Sequence, residues 1–98
     1  MVFELAHIEV LPGKNAEFEA GVKEALPLFL RAKGCGGVEL QRVVEYDARY
    51  VLIVRWETVD DHMIHFRQSE DFQAWRRLVG SFFATPPEVV HTELRVTS

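Results

Sequence analysis

Residues 50–56 read Tyr-Val-Leu-Ile-Val-Arg-Trp, an apolar run with hydrophobic side chains on both faces of an extended chain almost to its end. Because a strand that is covered on both sides has this pattern, we predict a strand over Tyr50–Glu57 near the centre of a sheet. Thr58 and Asp61 follow with the spacing of a capping box, in which aspartate replaces the usual glutamate. They predict a short helix that ends at about Arg67.

A further helix and a last strand are predicted after this point. Ser69 is the expected N-cap of the helix, and its apolar stripe consists of Phe72, Trp75, Val79 and Phe82. Thr85, Pro86 and Pro87 interrupt the chain, because proline cannot continue a helix. Val89–Val96 is the predicted last strand.

In the part of the chain before the central strand, the apolar residues first alternate with period two and then recur at helical spacing. Val2–Leu11 predicts a strand with Phe3, Leu5, His7 and Glu9 on one face and Val2, Ala6, Ile8 and Val10 on the other. Glu4 is the polar exception on the second face. Pro12 and Gly13 end it. A helix is predicted from Asn15, a candidate N-cap, and its buried stripe is Phe18, Val22, Ala25, Phe29 and Ala32. We expect Pro27 to kink this helix.

The glycine-rich link Gly34–Gly37 ends the first helix, and Val38–Glu45 is the next predicted strand. Tyr46–Arg49 joins it to the central strand as a hairpin loop. The order is β-α-β-β-α-α-β, a ferredoxin-like α+β sandwich with an antiparallel sheet. Helices cover only one face of such a sheet, and the other face is also apolar. We therefore predict a homodimer in which two sheets pack face to face.

Length and composition place limits on the function. The 98 residues predict a single domain over 1–98, and the net charge of -4 opposes binding to nucleic acid or to anionic membranes. The single Cys35 excludes an internal disulfide, and no apolar run approaches the roughly 20 residues that span a bilayer. The chain begins in a strand rather than a signal sequence, so a cytoplasmic location is expected.

The sequence resembles the antibiotic biosynthesis monooxygenase family. The residues that carry the likeness are the Leu11-Pro12-Gly13 turn, the glycine-rich link, Trp56, His65-Phe66-Arg67, Ser69, Phe72, Trp75-Arg76, Gly80, Phe82-Phe83, Pro86-Pro87 and His91. The resemblance implies a dimeric α/β barrel with a pocket between sheet and helices in each subunit. It also implies oxidation of phenolic or quinol-type substrates by O₂ without metal or flavin.

One branch of that family degrades haem with an asparagine in the first strand, a tryptophan in the short helix and a histidine in the next helix. The matching positions here hold His7, Phe66 and Arg76, so haem degradation is disfavoured. By resemblance to the cofactor-free members, the cavity residues are His7, Trp56, His65 and Trp75, with Phe66 and Phe82 as walls.

Oxygenation without a cofactor requires a base, because a phenolate reduces O₂ far more readily than a phenol. His65 and His7 are the candidate bases, since histidine titrates near neutral pH. Trp56, Phe66, Trp75, Arg76 and Phe82 are the candidate substrate-binding residues, and Arg67 or Arg76 is a candidate for stabilising negative charge.

Several alternatives stay open. His7 is equally consistent with a core or interface histidine, and the Asp61–His65 spacing fits a surface pair. His62 and His65 are a weak candidate pair of metal ligands. Two functions follow: a cofactor-independent monooxygenase acting on a small phenolic, quinol or polyketide-like aromatic, or a non-catalytic dimeric barrel that binds a small hydrophobic ligand.

Overall fold

The computed structural model describes residues 1–98 as an antiparallel sheet with its helices packed on one face. The strands are β1 (Val2–Glu9), β2 (Cys35–Arg42), β3 (Arg49–Trp56) and β4 (Glu88–Thr92). The α-helices are α1 (Asn15–Leu30) and α2 (Glu70–Val79), a π-helix spans Asp61–Phe66, and a 3₁₀ turn spans Gly80–Phe82. The predicted ferredoxin-like α+β architecture is confirmed.

The sheet has the strand order β2-β3-β1-β4, so β3 is an inner strand, as its apolar pattern predicts. Alternate residues of β1 and β3 face the helices, because opposed residues such as Ala6 and Leu52 share a side of the sheet. They meet the buried stripe of α1, and the largest fully buried side chains are Trp56, Tyr50, Phe18, Phe29 and Leu52. The core therefore lies between the sheet and the helices.

The opposite face of the sheet has no helix over it. Its central apolar side chains are half-buried or exposed: Phe3, Leu5, Val51, Ile53 and Val90. The middle of this face is apolar, as the alternation in the first strand predicts.

Some boundaries differ from prediction. β4 ends at Thr92 instead of Val96, because Thr92 already pairs with Phe3 and only one residue of β1 precedes it. β2 begins at Cys35 with a bulge between Cys35 and Gly37, and it ends at Arg42 rather than Glu45. Asn15 is not an N-cap: its side-chain amide instead donates to the carbonyl oxygen of Asp47 and to the hydroxyl of Tyr50.

The predicted short helix is present, but it has the wider π geometry. The backbone N–H of Asp61 donates to Thr58 Oγ1 at 3.1 Å, as the capping-box spacing predicts. The Asp61 carboxylate lies against Gly34 and leaves no space there for a Cβ atom, and the Gly34 φ of +80° is itself unfavourable for residues other than glycine. The start of the π-helix is thus held against the glycine-rich link. No helix in the structure combines the length and apolar content needed to cross a membrane.

Candidate functional site

A cavity of about 950 Å³ lies between the helix-covered face of the sheet and α2. Its floor is formed by β1, through Glu4, Ala6 and Ile8. Aromatic side chains and arginines form much of the remaining wall: Phe72, Trp75, Phe83, Arg67, Arg76 and Arg77. The volume suits a small organic molecule of one to three rings.

Glu4 is the unusual residue of this cavity. It occupies an inward position of β1 and is only 4% exposed, although carboxylates are rarely buried without a partner. Trp56 Nε1 donates to Glu4 Oε1 at 3.0 Å, and His62 Nε2 lies 3.2 Å from the same oxygen. Removal from water raises the pKa of Glu4 to about 7, and the Trp56 hydrogen bond and the charge of Arg67 only partly oppose this effect.

His62 connects Glu4 to the last strand. Its ring stacks on Trp56 with 5.4 Å between the centroids, and its Nδ1 lies 2.8 Å from Nε2 of His91. His91 is brought there by the sheet register, because it is paired with Glu4 across β1 and β4. Burial lowers the pKa of His62 to about 4, with smaller contributions from His91 and Arg67, so the ring is neutral near pH 7.

When the Glu4 carboxylate is ionised, these contacts favour one placement of the protons on the His62 and His91 rings. With its proton on Nε2, His62 directs that N–H side toward Glu4 Oε1 at 3.2 Å, and its Nδ1 then accepts a hydrogen bond from His91 Nε2–H. Glu4 Oε1 accepts a hydrogen bond from Trp56 and lies in close contact with His62 Nε2, whereas no hydrogen bond ends on Oε2. Because no buried polar side-chain atom lacks a partner, Oε2 is open to the cavity that Glu4 lines. The free oxygen is the one that can receive a proton from a ligand.

The three polar residues do not form a metal centre. The two ring nitrogens of His62 point in opposite directions, one to Glu4 and one to His91, so the donor atoms do not converge on one point. His65, which the sequence offers as a second ligand with His62, is exposed and is not part of this cluster.

The structure does not bring together the two histidines predicted as bases. His65 is exposed on the π-helix and does not line the cavity. His7 points to the opposite side of the sheet from Glu4, because the two are an odd number of residues apart in β1. It lines a separate depression of about 480 Å³ together with Glu9 and Arg49. A shared role for His7 and His65 in one cavity is therefore incompatible with the fold.

The predicted substrate-binding residues are divided between the cavity wall and the core. Trp75 and Arg76 line the cavity. Trp56 and Phe66 are buried behind it, where Trp56 contacts Glu4 and Phe66 packs against Phe29 and Trp56. Phe82 packs against the core and does not line the cavity.

Sequence reasoning missed Glu4 as a site residue. The signal was present, since Glu4 interrupts the otherwise apolar inward face of the first strand. A carboxylate at such a position needs partners, and a buried carboxyl with a shifted pKa is a frequent feature of active sites. The partners His62 and His91 are 58 and 87 residues away in sequence, so only the sheet register and the π-helix reveal them.

Comparisons with known proteins point to one family. A profile described as antibiotic biosynthesis monooxygenase matches residues 1–78. The uncharacterized protein YczJ of Bacillus subtilis is 35% identical over 91 residues, which cover 93% of this chain and 96% of YczJ. A crystal structure from Bordetella bronchiseptica that carries the same family name is 57% identical, with a TM-score of 0.96 and coverage of 97% of both chains.

A more distant structure shares the fold. SnoaB, a cofactor-independent oxygenase from Streptomyces nogalater, is 23% identical with a TM-score of 0.83, over 98% of this chain and 94% of SnoaB. The profile covers most of the chain, and the resemblance of the two closer relatives extends over nearly all of it. The chain belongs to the antibiotic biosynthesis monooxygenase family.

Proposed function

We propose that this protein is a cofactor-independent monooxygenase that oxidises a small phenolic, quinol or polyketide-like aromatic with O₂, and that Glu4 is its base. One observation carries the proposal: a buried carboxyl with a pKa of about 7 has one oxygen free toward a cavity walled by aromatic side chains. A base with this pKa is half ionised near neutral pH, which is the optimum for general base catalysis. The fold shared with SnoaB agrees with this chemistry.

In the proposed reaction, Glu4 Oε2 accepts the proton of the substrate hydroxyl. The phenolate transfers electron density to O₂, and a C–O bond forms at a ring carbon conjugated with the oxyanion. Glu4 protonates the peroxide and then removes the hydrogen of that carbon, while the O–O bond breaks and hydroxide leaves. Hydroxide takes the proton from Glu4, so a phenol and O₂ give a quinone and one molecule of water.

The neighbouring side chains support each stage of this sequence. Trp56 and His62 hold Glu4 Oε1, so Oε2 is directed to the cavity. Arg67 lines the same cavity and lowers the pKa of both Glu4 and His62, so its charge acts at the place where the phenolate forms. The aromatic wall limits the water around the peroxide, which suppresses side reactions.

The test is oxygen uptake with a panel of hydroquinones and anthrone-like phenols. We expect Glu4→Gln to lower kcat/KM by roughly 10²–10⁴-fold, because the amide cannot accept the proton. The His7→Ala/His65→Ala variant should retain the wild-type rate, and wild-type kcat/KM should rise with pH and level off above about 7. Catalase distinguishes monooxygenation from quinol autoxidation, because only autoxidation releases hydrogen peroxide.

The results separate the possible bases and functions. Full activity of Glu4→Gln contradicts the role of Glu4, and loss of activity in the double histidine variant returns the role to His7 or His65. Absence of uptake with every compound, while the aromatics still bind, identifies a non-catalytic barrel that binds a small ligand.

We also propose that the protein is a homodimer in which the open faces of two sheets pack together. The support is the uncovered apolar patch in the middle of that face, formed by Phe3, Leu5, Val51, Ile53 and Val90. A contiguous exposed patch of this kind marks an interaction surface, and a two-fold axis would bury the same patch on both copies.

A further inference from the structure

The cavity has a charge opposite to that of the protein as a whole. The chain has a net charge of -4, yet the cavity is lined by Arg67, Arg76 and Arg77 and by a single carboxyl group, that of Glu4. The local excess of positive charge is therefore specific to this site. It favours a ligand that carries negative charge.

No carboxylate neutralises these arginines. The ion pairs of the molecule involve Lys14, Arg31, Arg49 and His62, so none of the three cavity arginines has an acidic oxygen within 4.0 Å. The guanidinium groups consequently retain their donors for a ligand.

The position of Arg76 and Arg77 is not explained by helix stability alone. Both lie in the last turn of α2, where a cation stabilises the helix dipole whichever way its side chain points. However, Gln73, Arg76, Arg77 and Gly80 all line the cavity, and their spacing of three, four and seven residues from Gln73 places them on one side of the helix. That side of α2 presents a polar, cationic surface to the cavity.

The two cationic parts of the cavity have different surroundings. Arg67 acts on Glu4 and His62, where the hydroxyl of the proposed substrate ionises. Arg76 and Arg77 belong to α2, whose Trp75 supplies aromatic wall to the same cavity. A guanidinium fork matches the two oxygens of a carboxylate. An aromatic ring would then occupy the apolar space between Glu4 and the arginines of α2.

We propose that the substrate is an aromatic hydroxy acid whose carboxylate is bound by Arg76 and Arg77 while its hydroxyl meets Glu4. This inference rests on the proposed function for the role of Glu4, but the carboxylate site can be measured without turnover. Monooxygenation consumes the ring hydrogen and O₂ as described above, and the carboxylate stays unchanged.

The test compares gentisate with hydroquinone, which differs only by lacking the carboxylate. Binding is measured without oxygen by calorimetry and by tryptophan fluorescence, for the wild type, for Arg76→Gln/Arg77→Gln and for the control Arg42→Gln/Arg95→Gln. We expect the wild type and the control to bind gentisate at least about tenfold more tightly, because charge-assisted hydrogen bonds are strong. The Arg76/Arg77 variant should bind both compounds about equally.

The wild type alone provides a second measurement. Raising the salt concentration should reduce its preference for gentisate, because the arginines are exposed to solvent. The inference is overturned if gentisate binding is undetectable or if the wild type binds gentisate and hydroquinone with equal affinity. It is also overturned if the preference for gentisate survives the Arg76/Arg77 substitutions or does not depend on the salt concentration. Tight gentisate binding, with no aerobic oxygen uptake from gentisate or from any compound of the panel, would instead retain the carboxylate site and contradict the proposed function.

Discussion

At the scale of single residues, Glu4 and His62 have opposite effects on stability as the pH changes. Burial raises the pKa of Glu4 from 4.5 to about 7, so folding favours the protonated carboxyl and stability is lost as the pH rises through that range. Burial lowers the pKa of His62 from 6.5 to about 4, so folding favours the neutral ring and stability is lost as the pH falls through that range. In the wild type the two contributions offset each other between about pH 4.5 and 6.5.

Removing either residue should expose the contribution of the other. We expect Glu4→Gln to lose stability on acidification from pH 6.5 to 4.5, and His62→Gln to lose stability when the pH rises from 4.5 to 7. Each change is at most about 3 kcal/mol, because one pKa unit corresponds to about 1.4 kcal/mol. Urea unfolding at a series of pH values measures both, and parallel profiles for the wild type and the two variants would show that these groups do not control the pH dependence.

At the scale of elements, the glycine-rich link and the π-helix depend on each other. Gly34 has a φ of +80°, and a Cβ atom there would overlap the carboxylate of Asp61. Asp61 precedes His62, so a displacement at Gly34 is transmitted directly to the partner of Glu4. π-Helical turns often occur at functional sites, and here the turn places His62 beside Trp56 and Glu4.

We therefore expect Gly34→Ala to lower the free energy of unfolding by about 2 kcal/mol and to reduce oxygen uptake as well. Gly36→Ala is the matched control, because the nearest atom to its added Cβ lies 3.7 Å away, in ordinary contact distance. Denaturant unfolding and the oxygen assay provide the two measurements. Equal stability and activity of the two variants would show that the link does not position the π-helix.

Sequence patterns predicted the elements better than they predicted the contacts between them. The stripe of α1 and the central place of β3 follow from periodicity, and the side chain of Ser69 caps α2 as expected, accepting from the Phe72 N–H at 3.2 Å. The site residues were harder to predict, because His62 reaches Glu4 only through the π-helix. Periodicity describes which face of an element is apolar, and it contains no information on which polar groups meet across that face.

At the scale of the whole molecule, the open sheet face should control association. We expect Ile53→Glu to convert the proposed dimer into a monomer, because a charged side chain would be buried at the centre of the interface. Ala20→Glu adds a charge to an exposed position of α1, which packs on the other face of the sheet, and should leave the dimer intact. Light scattering at micromolar concentration measures both variants. A wild-type monomer, or an Ile53→Glu dimer, would refute this arrangement.

The sequence by itself determined the order of the elements, the apolar character of both sheet faces and the family. These properties depend on local periodicity, turn residues and motifs, all of which lie within short segments. Only the tertiary structure decided the site: the sheet register sets His91 opposite Glu4, the π-helix adds His62, and burial shifts the pKa of the carboxyl to about 7. Desolvation and hydrogen bonding act between groups far apart in the chain, and they exist only after the strands and helices have packed.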